Sequence, residues 1–254
     1  MRLAAQGYTI REYTQNFEDI VKSLEKLKKI GYDALQISGF GQFDAKELKV
    51  ELDRLNMSVC VTHTPLADIV DKTDEVIERH KTLGIKYVGI GMFVMKTLDE
   101  CDAFIEKITP AMKKIRQSGL KLLYHNHAHE FIKDKGERII EHLLRNTDEE
   151  ELGLIVDFYW VQRAGYPPEK FLRENAKRIP VVHFKDMRAV MDYNEKHQFM
   201  EIFEGNMDYD TIYEECLKAG VEWVAIEQDV CDGNPFDSLQ LSLENMRKHK
   251  MFNL

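Results

Sequence analysis

A short β-rich run, a polar loop and a longer helical pattern recur along the whole chain, and this repeat restricts the fold more than any other feature. Arg2 to Gln6 is the first candidate strand. Phe17, Ile20, Val21, Leu24, Leu27 and Ile30 then fall at spacings of three and four, which predicts an amphipathic helix stopped by Gly31. Ala34 to Ile37 reads as a strand, Ala45 to Leu55 as a helix, and Val59 to His63 as a strand ended near Pro65. Val70 to Leu83 reads as one helix closing at Gly84, followed by a strand at Tyr87 to Gly91 and a long helix from Leu98 to Gln117. The fifth strand is expected at Gly119 to Leu123, with helix at Glu137 to Leu144. Leu152 to Asp157, Val181 to Phe184 and Trp223 to Glu227 complete the strands. Helices are expected at Pro168 to Ala176, Tyr209 to Lys218 and Asp237 to Lys248, with a long polar segment from Lys185 to Met207.

Eight such units at roughly 30-residue spacing imply parallel pairing through crossover helices. The expected fold is α/β, a closed (β/α)8 TIM barrel occupying residues 1–254 as a single domain. An open doubly wound sheet is the alternative, but Gly89-Ile90-Gly91 lacks the third glycine of a dinucleotide-binding turn and lies mid-chain.

With 44% apolar and 31% charged residues, the composition is that of an ordinary globular enzyme or binding protein. No apolar run approaches the ~18 residues of a membrane span. Met1 to Gly7 has no signal-peptide character, so a cytoplasmic location without a membrane partner is expected. The net charge of −9 opposes a nucleic-acid partner. Cys60, Cys101, Cys216 and Cys231 are widely spaced and read as small buried hydrophobes.

In a barrel of this kind the chemistry lies at the carboxyl ends of the strands. The third strand ends on His63, the sixth on Asp157, the seventh on His183-Phe184-Lys185-Asp186 and the eighth on Glu227-Gln228-Asp229. After the fifth comes Tyr124-His125-Asn126-His127-Ala128-His129-Glu130, three imidazoles and a carboxylate in seven residues. Histidine and carboxylate are the usual ligands of divalent metals and proton carriers near neutral pH. Glu130, Asp157, His183 and Glu227 are the expected ligands of one divalent ion, Mn²⁺ foremost, with Mg²⁺, Co²⁺ or Zn²⁺ as alternatives. Such an ion could hold two adjacent oxygens of a polyol or hydroxyketone and stabilise an enediolate, while carboxylates beside it move a proton on or off the carbon next to the carbonyl, Glu130 and Glu227 standing on opposite sides of the metal. His63 and His127 are expected to contact substrate, and Trp160 to stack on a sugar face. His129 reads as a loop residue, and His80, His142, His197 and His249 as surface residues.

Taken in order, Gly31-Tyr32-Asp33-Ala34-Leu35-Gln36, His125-Asn126-His127 with Glu130, Leu154-Ile155-Val156-Asp157, His183-Phe184-Lys185-Asp186, Glu204-Gly205-Asn206-Met207-Asp208 and Ile226-Glu227-Gln228-Asp229 resemble the xylose-isomerase-like TIM-barrel superfamily. The resemblance spans essentially the whole chain. It implies a metal-dependent sugar isomerase or epimerase, with Glu130, Asp157, His183 and Glu227 as ligands and the two glutamates as acid and base. Dehydratases and C-glycoside lyases of the same superfamily share this site and are the alternatives. Two departures bear on the substrate. Trp160 stands where the ketose epimerases have a histidine, and their arginine after the seventh strand is matched only approximately by Arg188. Lys185 is placed instead to meet an oxyanion or a carboxylate. Endonuclease IV-type repair enzymes share the barrel, but their three-zinc cluster needs histidines that are missing here, Trp160 again marking one loss. A non-catalytic sugar-binding barrel is the third class. Phe199, Met200 and Phe203 offer a lid or a contact in a homo-oligomer.

Overall fold

The computed structural model describes residues 1–191 and 199–253. Eight parallel strands close into a barrel: β1 (Arg2–Gln6), β2 (Ala34–Ile37), β3 (Ser58–His63), β4 (Tyr87–Ile90), β5 (Lys121–His125), β6 (Leu152–Asp157), β7 (Val181–Phe184) and β8 (Trp223–Ile226). Each pairs with its successor in the chain, and β8 closes on β1 from Arg2 opposite Trp223 to Ala5 opposite Ile226. Because crossover helices cover the outside, β2, β4, β6, β7 and β8 are buried along their whole length, as their continuous apolar runs require.

The apolar residues fall into two clusters. The larger lies between strands and helices, where Leu24, Leu27, Phe104 and Ile108 pack against outward residues such as Leu35, Val88 and Val182. The smaller fills the barrel interior and includes Ala4, Val61, Leu123, Ile155, Val181 and Ala225. Side chains alternate faces along a strand, so the residue two further on points the same way. Two residues beyond those six stand Gln6, His63, His125, Asp157, His183 and Glu227. The polar layer is therefore the next storey of the same interior, at the carboxyl mouth.

Three local expectations are corrected. The fifth strand starts two residues later than expected, at Lys121, because Gly119 is the left-handed stop of the preceding helix (φ 84°). It consequently runs through Tyr124 and His125. The single helix expected at Val70 to Leu83 is two, Leu66–Asp71 and Thr73–Leu83, broken where the Thr73 hydroxyl takes the Ile69 carbonyl (2.7 Å). Helix Phe158–Arg163 and two small hairpins, Lys133–Asp134 with Glu137–Arg138 and Asp186–Met187 with Phe199–Met200, were not anticipated. Cys60, Cys101 and Cys216 are buried and unbridged, and Cys231 is half-buried.

Candidate metal centre at the barrel mouth

Four side chains from neighbouring strands converge at the mouth. His125, Asp157, His183 and Glu227 each present one ligating atom, all within 4.8 Å of one another. Asp157 Oδ2 lies 3.6 Å from His125 Nε2 and 3.8 Å from His183 Nδ1, which is 2.9 Å from Glu227 Oε2. In each case the other polar atom is already occupied. His125 Nδ1 donates to the Gly91 carbonyl (3.0 Å), so its Nε2 carries the lone pair. His183 Nε2 meets Gln36 Oε1 at 2.8 Å, Glu227 Oε1 accepts from Gln6 Nε2 at 2.9 Å, and Asp157 Oδ1 accepts from the Trp160 amide at 3.2 Å. Asp157 Oδ2 and Glu227 Oε2 are buried, and their polar neighbours are the cationic groups of the site, Lys185 Nζ and His183 Nδ1. Outer partners that fix the orientation and tautomer of inner donors are the usual surroundings of a metal site.

His125 Nε2 and His183 Nδ1 are 3.1 Å apart. Since the former is an acceptor, the latter bears the proton without a metal, and an ion that ligates His183 Nδ1 must displace that proton. Burial disfavours an imidazolium here, but the Glu227 and Asp157 carboxylates outweigh burial and raise the His183 pKa. Burial keeps His125 neutral.

The second cation is Lys185, whose side chain is only 1% exposed. Its Nζ is 2.9 Å from Asp157 Oδ2 and 3.0 Å from Glu227 Oε2, and it donates a hydrogen bond to Asp229 Oδ2 at 3.0 Å. The Tyr159, Trp160 and Phe199 rings surround it at 5.9, 5.4 and 5.7 Å. Burial alone would raise both carboxylates, yet Lys185 overrides it and holds Asp157 and Glu227 well below their usual range. At Asp229 burial wins, and the carboxyl is pushed up to about 6.

Glu130 does not join this cluster. Its carboxylate is grouped with His127 and His129, accepting from the Tyr124 hydroxyl (2.8 Å) and the His127 amide (2.8 Å), with His129 Nε2 at 3.2 Å. The physical reason is the position of β5. With the strand continuing to His125, it is His125 that points inward, and Glu130 falls in the 3-10 turn His129–Phe131, where it ties the loop together. His129 Nε2 also faces the Phe93 carbonyl (3.1 Å), so that nitrogen carries hydrogen and is no metal donor.

A cavity of about 540 Å³ opens above the four donors, its walls including His63, His127, Trp160, Lys185, Glu227 and Asp229. His63 Nε2, His127 Nδ1 and Trp160 Nε1 are buried without hydrogen-bond partners. Burial drives His127 down to about 2 and His63 well below its ordinary value, so both rings are neutral. Glu130 and Arg188 do not line this cavity, and Arg188 follows the short strand Asp186–Met187 outside it. His80, expected at the surface, is fully buried, bonded to Thr62 Oγ1 (2.9 Å) and the Val76 carbonyl (2.7 Å). His142 is mostly buried and pairs with Asp102 (2.7 Å), while His249 is exposed. His197 lies outside the described residues.

Asp186 anchors the segment after β7. Its buried carboxylate accepts backbone amides from Met187 (2.7 Å), Phe203 (3.0 Å), Gly205 (3.2 Å) and Met207 (3.1 Å). A Cβ on Gly205 would stand 2.3 Å from Asp186 Oδ1, so only glycine permits this approach. The segment carries Phe203 to the core and Phe199 to the Lys185 pocket.

A parallel eight-stranded barrel with an imidazole–carboxylate cluster at its carboxyl mouth defines a class of protein in which a fixed scaffold carries a metal-type site. The chain belongs to the xylose isomerase-like TIM barrel family, whose model matches residues 24–249. An inosose dehydratase of Lacticaseibacillus casei is 21% identical over 259 residues, covering 85% of each chain. A solved sugar phosphate isomerase/epimerase of Parabacteroides distasonis ATCC 8503 matches 98% of each chain at 21% identity and a TM-score of 0.81. The IolI protein, solved with a bound zinc atom, matches 99% of each chain at 15% identity and a TM-score of 0.77. Among the described residues no helix is long and apolar enough to cross a membrane.

Proposed function

We propose that the chain is a divalent-metal-dependent enzyme that removes a proton beside the carbonyl of a neutral keto-sugar or keto-polyol and expels the neighbouring hydroxyl as water. The observation that supports the metal is the convergence of Asp157 Oδ2, Glu227 Oε2, His125 Nε2 and His183 Nδ1 within 4.8 Å of one another. A cation fits such a donor set, whose outer atoms are all engaged. When bound, a divalent ion there supplies Lewis-acid polarisation of a substrate carbonyl. With His125 in place of Glu130 the set holds two imidazoles and two carboxylates, which shifts preference from Mn²⁺ toward Zn²⁺ or Co²⁺.

The remaining steps belong to the chain's own side chains. Asp229 lines the cavity outside the four inner donors and is the carboxylate left to take the proton and then return it to the departing hydroxyl, which leaves as water. Lys185 beside it stabilises the oxygen that gains negative charge. The unpartnered His63 Nε2, His127 Nδ1 and Trp160 Nε1 supply hydrogen-bond sites for substrate hydroxyls. Arg11 and Lys185 are the cationic lining residues, and both are engaged, Arg11 Nη1 with the Tyr8 and Asp229 carbonyls. That commitment supports a neutral substrate over a phosphorylated one. An epimerase needs a second proton carrier on the opposite wall. Glu130, expected there, is turned into the loop, and this favours elimination over epimerisation.

The test is incubation of the zinc- or cobalt-loaded chain with an inosose in D2O, followed by NMR. Loss of one hydroxyl with formation of a dehydrated diketone supports the proposal. Deuterium uptake with an inverted centre and no loss of water replaces it with epimerisation. Neither change with inososes, ketoses or keto-glycosides refutes proton abstraction by this site.

A further inference from the structure

We propose that Lys185 is a resident cation that occupies the metal's carboxylates in the metal-free chain and gives way to the ion by withdrawing to Asp229. The inference rests on the metal reading above. The competition is for the same atoms. Lys185 Nζ contacts Asp157 Oδ2 at 2.9 Å and Glu227 Oε2 at 3.0 Å, and those two oxygens face His125 and His183 in the candidate centre. A metal holds carboxylate oxygen at ~2.1 Å, so an ion on either atom would lie no further than about 5 Å from the ammonium if Lys185 stayed. Both charges are buried, where they are poorly screened.

The side chain has somewhere to go. Asp229 Oδ2 already accepts a hydrogen bond from Nζ at 3.0 Å, and Asp229 is not one of the grouped donors. The Tyr159, Trp160 and Phe199 rings already stand 5.9, 5.4 and 5.7 Å from Nζ and favour an ammonium among them. The backbone need not follow, because the Tyr209 hydroxyl accepts from the Lys185 amide (2.7 Å) and donates to its carbonyl (2.8 Å). Charge also matches once the His183 Nδ1 proton is released to solvent on metal binding. A divalent ion then neutralises Asp157 and Glu227, and Asp229 is left as the counter-ion of the displaced lysine. Without the ion Lys185 contacts Asp157, Glu227 and Asp229 together, and with it the ammonium keeps Asp229 alone.

The experiment is Zn²⁺ titration of the full chain against a chromophoric chelator, for wild type, Lys185→Met, Asp229→Asn and the double variant, with thermal unfolding of metal-free and loaded samples. Lys185→Met should bind Zn²⁺ at least tenfold tighter and lose thermal stability only when metal-free. Asp229→Asn should bind several-fold more weakly, because the displaced lysine has lost its partner. The double variant should bind like Lys185→Met alone, which separates loss of a seat from a general loss of negative charge. Affinity that is unchanged, or weakened by both single substitutions, overturns the proposal. Should Lys185→Met fail to fold without metal, Asp229→Asn still decides, since unchanged or tighter binding refutes the withdrawal. Wild-type protein that takes up no Zn²⁺ overturns the metal reading as well, whereas measurable binding that is indifferent to both residues overturns this inference alone.

Discussion

Replacing Glu130 with glutamine separates its observed place in the loop from the ligand role its sequence position suggests. The carboxylate accepts from the Tyr124 hydroxyl and the His127 amide, both at 2.8 Å, and faces His129 Nε2 at 3.2 Å. A glutamine keeps the shape but turns one acceptor oxygen into an NH2 donor. Tyr124 can redirect its hydroxyl to the Phe93 carbonyl at 2.9 Å, so the conflict falls on His127 or His129. One buried donor left unsatisfied costs about 1–3 kcal/mol. At about 2–4 °C per kcal/mol for a chain of this size, a 2 kcal/mol loss lowers Tm by roughly 4–8 °C. The metal should stay, because His125, Asp157, His183 and Glu227 are untouched. The assay is calorimetric unfolding beside elemental analysis of the same dialysed sample, with His125→Ala as the comparison that should lose the ion. Loss of metal from Glu130→Gln at unchanged Tm would show that Glu130 is a ligand and that the assignment of His125 is wrong.

Two further outcomes follow from neighbouring contacts. Gln36→Leu removes the acceptor that orients His183 and should weaken Zn²⁺ binding by about 10–100-fold, while the buried His183 Nε2–H left without an acceptor costs about 1–3 kcal/mol; titration against a chelator reads the first and Tm the second. Burial pushes His80 down to about 4 from an ordinary 6.5, so the unfolded chain takes up a proton before the folded one does. That contribution is intact above pH ~6.5 and is lost as pH falls toward 4, amounting to about 2 kcal/mol by pH 5. His80→Gln should flatten the fall in unfolding free energy between pH 7 and 5, and an equally steep fall in the variant would place the acid sensitivity elsewhere.

The barrel was legible because hydrophobic periodicity is a local signal, and eight alternations of strand and helix leave few folds. Asp157, His183 and Glu227 were legible for the same reason, each ending or directly following a long apolar strand on the inward parity. His125 obeys that parity too, two residues beyond Leu123. Apolar periodicity extends the strand back over Gly119 and Leu120, whereas Gly119 stops the helix before it. That shift of two residues puts His125 in the loop on sequence alone, and the structure brings His125 rather than Glu130 beside Asp157, His183 and Glu227. Lys185 was seen as polar and well placed, but its contact with three carboxylates spans three strands and no local pattern encodes that. His80 was misread for a related reason. It sits in a charged helical stretch, Glu78-Arg79-His80-Lys81, and only the packing of that helix on Thr62 shows which side of it is covered.

The Asp186 clamp has an evolutionary consequence. One carboxylate grips the chain both where it leaves β7, at Met187, and where it returns, at Phe203, Gly205 and Met207. Phe199 lies between those two grips and faces Lys185, so the clamp sets where that ring meets the ammonium. Substitutions that shift Phe199 are therefore read out at Lys185 and at the carboxylates it contacts, and drift at this position is not neutral to the cluster beneath.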